Sequence, residues 1–259
     1  MQRVAAIVLN TFREAVRDRV LYNLIVFALL LIATAILFGE ISIGVQKLVL
    51  ANLGLAAVTF FGLAIAVFIG IGLVHKEIDK RTLYALLSKP VRRHEFILGK
   101  FGGLALTLLV NTLLMTVGFF AALWYVQGGL QTDDAALVVA LYFIYLQLLL
   151  ATALALLFSS FSSPVLSAAY TFGLFLIGSF ASDLRELSEW VDIPWWLESV
   201  VRAVYYVVPN FRNFNVITET AHGHAVPAAL VWGNSAYAVL YTTLVLAVSI
   251  VIFQNRNLK

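Results

Sequence analysis

Three short clusters in this 259-residue chain hold the residue types that covalent, metal or phosphate chemistry needs. Gly233-Asn234-Ser235 offers a hydroxyl of the kind an intramembrane serine protease uses as its nucleophile. Such a serine needs a base to take its proton, yet no histidine falls in any long apolar stretch, and Ala236 stands where that motif carries its next glycine. His222-Gly223-His224 brings two imidazoles close enough to share a metal ion. With no cysteine, methionine or third histidine beside them they make a poor site, and a solvated loop is the expectation. Gly99-Lys100 matches the end of the phosphate loop G-x-x-x-x-G-K-S/T, but the earlier glycine is missing at its spacing and no hydroxyl follows the lysine. The absence of cysteine removes disulfides, thiolate metal centres and thiol catalysis. These residues predict no catalytic group, no metal site and no cofactor bound by the chain itself.

The elements that carry these clusters are set by composition. Hydrophobic residues make up 62% of the chain and charged residues 12%, with a mean hydropathy of +0.95. That leaves too little polar surface to cover a water-soluble domain, so lipid must cover the rest. A bilayer core about 30 Å thick needs roughly 20 apolar helical residues, because no backbone amide can face lipid unpaired. Residues 20–39, 48–74, 101–126 and 232–253 are charge-free and meet that length. A longer apolar stretch is interrupted by Ser159-Ser160-Phe161-Ser162-Ser163-Pro164, a polar cluster ending in a helix-starting proline. It divides into two further spans, 135–158 and 164–181. The prediction is an all-α membrane protein with six transmembrane helices and both ends on one side.

Charge assigns that side. Lysine and arginine gather in short cytoplasmic loops, and thirteen of the seventeen fall in residues 1–19, the 75–100 loop and the C-terminal tail. The other four are Lys47, Arg185, Arg202 and Arg212. Both termini are therefore expected in the cytoplasm. The first twenty residues hold Arg3, Arg13, Glu14, Arg17, Asp18 and Arg19 and no small-residue cleavage site, so the N-terminus is expected to be retained. No span carries a charge near its middle, whereas ion-coupled carriers usually bury ionisable groups there, and this argues against one.

The segments between the spans are more specific. Val4, Ile7, Val8, Thr11 and Ala15 share one helical face and Arg3, Asn10, Arg13 and Arg17 the other, predicting an amphipathic elbow helix along the inner interface. In the 75–100 loop, Glu77 and Asp79 suit a helix N-terminus, Leu83, Leu86 and Leu87 form an apolar patch, and Pro90 stops the helix. Basic residues alone would merely satisfy the charge rule, but exposed leucines ask for a partner. The 182–231 loop divides into two amphipathic pieces, one with Leu184, Leu187 and Val191, the other with Leu197, Val200, Val201, Val204, Tyr205 and Val208. Trp190, Trp195, Trp196, Tyr205 and Tyr206 place these pieces at a membrane interface, dipping into the outer leaflet or capping a central cavity. Small residues at Gly62, Ala66 and Gly70, and at Gly99 and Gly103, predict close helix packing.

With these loops in view, the chain resembles the permease subunits of ABC-2 type transporters. The resemblance rests on Glu77, Lys80-Arg81-Thr82-Leu83, Leu86-Leu87-Ser88-Lys89-Pro90-Val91-Arg92-Arg93 and Gly99-Lys100, and on Tyr205-Tyr206-Val207-Val208-Pro209-Asn210-Phe211 with Phe214-Asn215. The outer-loop pattern is most similar to the branch grouped with the permease of the nitrous-oxide-reductase copper-maturation system. Two methionines and no cysteine leave this chain without the soft ligands that would carry copper(I) itself.

The resemblance implies six spans preceded by an elbow helix, a second permease copy (identical or a close paralogue), and two copies of a separate ATPase that hold ATP and Mg²⁺. It implies that the 75–100 loop is a coupling helix seated on the ATPase through Glu77, Arg81, Leu83, Leu86, Leu87 and Lys89. ATP-driven closure would then tilt spans one, two and five as rigid bodies. It also implies that spans two and five line the substrate path, making Thr59, Phe60, Tyr170 and Thr171 candidate wall residues among neighbours that include Asn52, Ser167 and Ser179. Hydroxyls in a span are usually satisfied by the carbonyl one turn back.

The expected function is export of a hydrophobic or amphiphilic cargo across a cell (inner) membrane. The rival is a non-transporting scaffold or mechanotransmitter that anchors the ATPase and signals to a periplasmic or extracellular partner. The lipid bilayer is the remaining partner; no nucleic acid is expected. The coupling assignment predicts that a Leu86→Glu, Leu87→Glu double variant loses the ATPase on co-purification while all six spans stay inserted. Undiminished ATPase recovery would remove it.

Overall fold

The structure, a computed structural model, describes residues 2–42, 44–79, 93–190 and 194–255. Among the described residues every regular element is helical. In chain order these are α1 (Gln2–Val16), α2 (Arg19–Ile41), α3 (Gln46–Asp79), α4 (Arg93–Gln127), α5 (Ala135–Ser159), α6 (Pro164–Trp190), α7 (Trp195–Val207), α8 (Ile217–Ala221) and α9 (Ala228–Asn255). Short 3-10 turns lie at Thr132–Asp134 and Phe211–Phe214. Six helices, α2 to α6 and α9, are long and apolar enough to cross a membrane, and the chain is a multi-pass membrane protein. Their alternation puts the start of α2 and the end of α9 at one end of the bundle, the terminal end, and α7 and α8 at the far end.

The bundle is built around α3 and α5. In each, 72% of the apolar span is buried, against 28% for α2 and 22% for α6. The outer helices show why: on α2, Leu21, Ile25, Ala28, Ile32 and Ala35 form a buried stripe at helical spacing, while Tyr22, Phe27, Leu30 and Leu37 stay exposed. Such a face suits lipid. Asp18 starts this helix by accepting the Val20 N–H at 3.0 Å, which satisfies one of the amides a helix start leaves open.

Where the chain turns, polar side chains replace the missing backbone bonds. At the α5–α6 turn, Ser159, Ser160 and Ser162 donate to the carbonyls of Leu156, Leu157 and Phe158 at 2.9, 2.6 and 3.0 Å. Ser162 and Ser167 share a further hydroxyl bond at 2.7 Å. The serine cluster thus closes the tight turn by covering carbonyls that the end of α5 would leave bare. At the far end, Asp134 accepts the Gln131 N–H at 2.7 Å and pairs with Lys47 at 2.8 Å, tying the start of α3 to the α4–α5 connection. At the terminal end, Arg93 donates to the carbonyls of Phe253 and Gln254 at 2.9 and 2.7 Å, and Phe96 stacks on Phe253 at 5.6 Å. The first turn of α4 therefore caps the last turn of α9.

Helix α1 lies against α4 through a strip without side chains. Ile7 covers Gly99, Val8 covers Gly102, and Thr11 covers Gly103. A Cβ added at Gly103 would stand 2.5 Å from the Thr11 Cβ and 2.8 Å from the Val8 carbonyl oxygen, so part of the obstacle is backbone that cannot rotate away. The apolar face read from the sequence is the one that packs. Gly62 likewise meets Leu148 on α5, and Gly70 lies at ordinary contact distance from Leu104 and Ala155. At Gly72 a Cβ meets nothing within 4 Å. Gly103→Val is predicted to lower the melting temperature in detergent by a loss of about 1–3 kcal/mol, the usual cost of overpacking. Gly72→Ala serves as the control and should leave it unchanged; equal melting of the two variants would show that the α1–α4 seat contributes nothing.

Candidate functional site

The site begins with the segment that follows α7. Pro209, with no N–H to give, stands two residues beyond the end of α7, and Asn210 then opens a 3-10 turn by accepting the Arg212 N–H at 3.1 Å. The same side chain donates through Nδ2 to Ser182 Oγ at 2.9 Å, and its own backbone N–H donates to the Tyr237 hydroxyl at 2.9 Å. Tyr241 donates to the Val207 carbonyl at 2.5 Å, and Asn234 Nδ2 to the Asn213 carbonyl at 2.5 Å. Arg212 forms an ion pair with Asp183. The turn is thereby fastened to α6 on one side and α9 on the other.

Close approach makes the fastening possible. The Pro209 carbonyl lies directly over Gly178, in the space a Cβ there would need. Phe211 packs on Phe175 with ring centroids 4.9 Å apart, and Phe214 sits edge-on to Phe143 at 6.4 Å. Phe143 is eight residues into α5, so the turn descends about 12 Å into the bundle.

Beneath the turn is a cavity of about 300 Å³. Its walls are Ala56, Thr59, Phe60 and Leu63 of α3, Ile144 and Gln147 of α5, and Phe175 and Ser179 of α6. Phe211, Arg212, Phe214, Asn215 and Ile217 form the roof. The Thr59 and Ser179 hydroxyls donate to the carbonyls of Leu55 and Phe175 at 2.9 and 2.7 Å, so their protons are already used. Among the described residues Arg212 is the one ionisable wall residue, and Asp183 balances its charge. The lining is aromatic and aliphatic, uncharged in sum, and can hold a small apolar or weakly polar body.

The residues named from the sequence fall in several places. Thr59 and Phe60 stand together in the cavity wall. Tyr170 and Thr171 lie about 13 Å along α6 from Ser179 towards the serine turn. Tyr170 packs on Phe158 at 5.5 Å and is half exposed, while Thr171 is buried and donates to the Ser167 carbonyl at 2.7 Å. Asn52 donates to the Leu48 carbonyl at 2.9 Å. Glu77 belongs to the last turn of α3; Arg81, Leu83, Leu86, Leu87 and Lys89 lie outside the described residues. Gln147 was not singled out by sequence reasoning, although an amide midway along a charge-free 25-residue helix is a readable signal.

The clusters with chemical potential are occupied otherwise. The Ser235 hydroxyl is engaged by the Tyr142 hydroxyl at 2.8 Å and the Val231 carbonyl at 2.6 Å. The rings of His222 and His224 stack 6.1 Å apart, His222 Nδ1 lies 2.7 Å from the Thr218 carbonyl, and no third ligand-type side chain joins them among the described residues. Gly99 and Lys100 are inside α4; Lys100 is 1% exposed, 3.6 Å from Glu14, with Phe96 beneath it.

Six apolar helices, a glycine-seated N-terminal helix and a cavity roofed by a fastened turn define a helical multi-pass membrane protein. The model of the ABC-2 family transporter proteins matches residues 5–258, and the chain belongs to that family. None of the curated proteins matches it. Gly178→Val is predicted to push the Pro209–Phe214 turn off α6, at a cost of about 1–3 kcal/mol. A cysteine placed at Phe211 should then react with a water-soluble maleimide several-fold faster than in the parent; unchanged labelling would mean that the turn does not depend on this seat.

Proposed function

We propose that the chain is the permease half of an ATP-driven exporter for a hydrophobic or amphiphilic cargo. As a member of the ABC-2 family it is a permease subunit of an ABC transporter. The observation that carries the finer reading is the cavity: its aromatic walls and balanced charge suit an apolar or flat molecule and offer nothing to an inorganic ion. The chain lacks a phosphate loop, so ATP and Mg²⁺ belong on a separate ATPase, two copies of which would serve two permease copies. In this reading the basic segments and both termini face the cytoplasm of a cell or inner membrane, α1 is the elbow helix, and the 80–92 segment seats on the ATPase.

The mechanism follows from helix length. Helix α3 is unbroken for 34 residues, about 51 Å, and carries Thr59 and Phe60 in the cavity wall and Glu77 beside the coupling segment. A push on that segment would move the cavity wall as a rigid body. The bonds of the far-end turn to α6 and α9 favour a second reading, in which the same motion reaches an outer partner without cargo crossing.

Vesicles holding the permease–ATPase complex separate the two. Export predicts ATP-dependent movement of an apolar fluorescent amphiphile, lost in the Leu86→Glu, Leu87→Glu variant. ATP hydrolysis with no cargo movement, together with an ATP-dependent change in proteolysis of the 194–227 segment, would replace export by mechanical signalling.

A further inference from the structure

Gln147 is 6% exposed and sits at the midpoint of α5, yet it makes no hydrogen bond within the protein among the described residues. Ser249 on α9 and Gln127 at the end of α4 also lack partners among the described residues, but Gln147 is the one of the three that lines the cavity. Thr59, Thr107, Thr152, Thr171 and Ser179 each donate to their own helix one turn back. Even the amide of Asn111, on α4, donates to the Thr107 carbonyl at 2.7 Å. A buried amide has two donors and an acceptor to satisfy, and leaving them open in a low-dielectric site is costly. The cavity is where Gln147 opens, between Thr59 and Phe60 on one side and Phe175 on the other.

We propose that Gln147 is the polar recognition point of a ligand site in this cavity, and that the ligand is a small uncharged molecule with a flat apolar body and an amide-like group. The proposal rests on the permease reading and specifies its cargo class. The chemistry is complementary: a glutamine amide can give or accept a hydrogen bond, and the C=O or the N–H of a second amide can meet it. No full charge is offered, because the one cationic wall residue, Arg212, is neutralised by Asp183. A volume of about 300 Å³ limits the occupant to a molecule at the small end of what protein pockets hold. The aromatic rings of Phe60, Phe175 and Phe211 in the lining suit a flat body.

The test uses a matched pair of probes, benzanilide and trans-stilbene, which share shape and differ in the central amide. Binding is measured by equilibrium dialysis on the full chain with its ATPase in lipid nanodiscs, without nucleotide, against empty nanodiscs to subtract partition into lipid. The expected result is saturable, one-site binding of benzanilide. In Gln147→Leu its affinity should fall about tenfold, the weight of one buried hydrogen bond, while stilbene binds equally well or better. Gln147→Met, closer in shape, should behave as the leucine variant does, and both should melt no lower than the parent, since neither removes a hydrogen bond made within the protein among the described residues.

Benzanilide binding that is unchanged in both variants would overturn the proposal, as would the absence of saturable binding to the parent. These outcomes are independent of the vesicle experiment. Cargo movement with no role for Gln147 leaves the exporter standing and removes this site; binding that depends on Gln147 without cargo movement does the reverse.

Discussion

The hydrocarbon layer supplies no hydrogen bonds, and that single constraint orders most of what this chain does with its polar residues. Among the described residues, several interruptions of the helices are paid for locally: serines cover the carbonyls at the α5–α6 turn, Asp134 takes the Gln131 amide, and Arg93 covers the last carbonyls of α9. Within the spans the same rule turns the hydroxyls of Thr59, Thr107, Thr152, Thr171 and Ser179 back onto their own helices. Each of these bonds is modest, about 1 kcal/mol net, but leaving any one open in lipid would cost more than making it returns. The pattern explains how a chain so poor in charge still folds to one arrangement, since apolar packing alone is tolerant of slippage and polar satisfaction is not.

Against that background the far-end turn and the cavity belong together. The segment around Pro209 and Asn210 leaves helical geometry beside Gly178 and Phe175 of a spanning helix, which is tolerated where protein surrounds the backbone. Asn210, Tyr237, Tyr241 and Asn234 provide the partners, and Gly178 provides the room. A turn held this firmly acts as a fixed roof, so the void beneath it persists instead of collapsing.

The spans were legible because twenty consecutive uncharged residues have few other solutions, and the α1 face because its period is local. The seat of the turn was not. Gly178 is one glycine in an apolar run, and its meaning comes from a carbonyl thirty-one positions later that no local pattern announces. The cavity wall was legible in part for a related reason: residue type named the hydroxyls of α6, but type does not give direction. Tyr170 and Ser179 are nine residues apart, which at about 100° per residue places them on opposite faces of the helix. Ser179 turns with Phe175 into the cavity, whereas Tyr170 packs on Phe158 near the serine turn. Gln147 escaped for want of a charge, although its amide is harder to satisfy in lipid than any hydroxyl nearby.

Helix continuity connects the cavity to the rest of the chain. The 80–92 segment is flanked by α3 and α4, of 34 and 35 residues, neither broken by proline. Through α3 it is one rigid element away from Thr59 and Phe60; through α4 it is in contact with α1 at Gly99 to Gly103 and with α9 at Arg93. In the proposed coupling, a displacement of that segment would be passed through α3 to the cavity wall and through α4 to the packing of α1 and α9. The tight glycine seats under α1 make sliding there expensive, whereas Gly72, near the terminal end of α3, has open space around it. Helix α3 is itself seated at Gly54 on Phe119 and at Gly62 on Leu148, so movement of α3 would have to displace those side chains. That motion shifts Thr59 and Phe60 relative to Gln147 on α5, and a site built across those two helices is the place where it would be felt first.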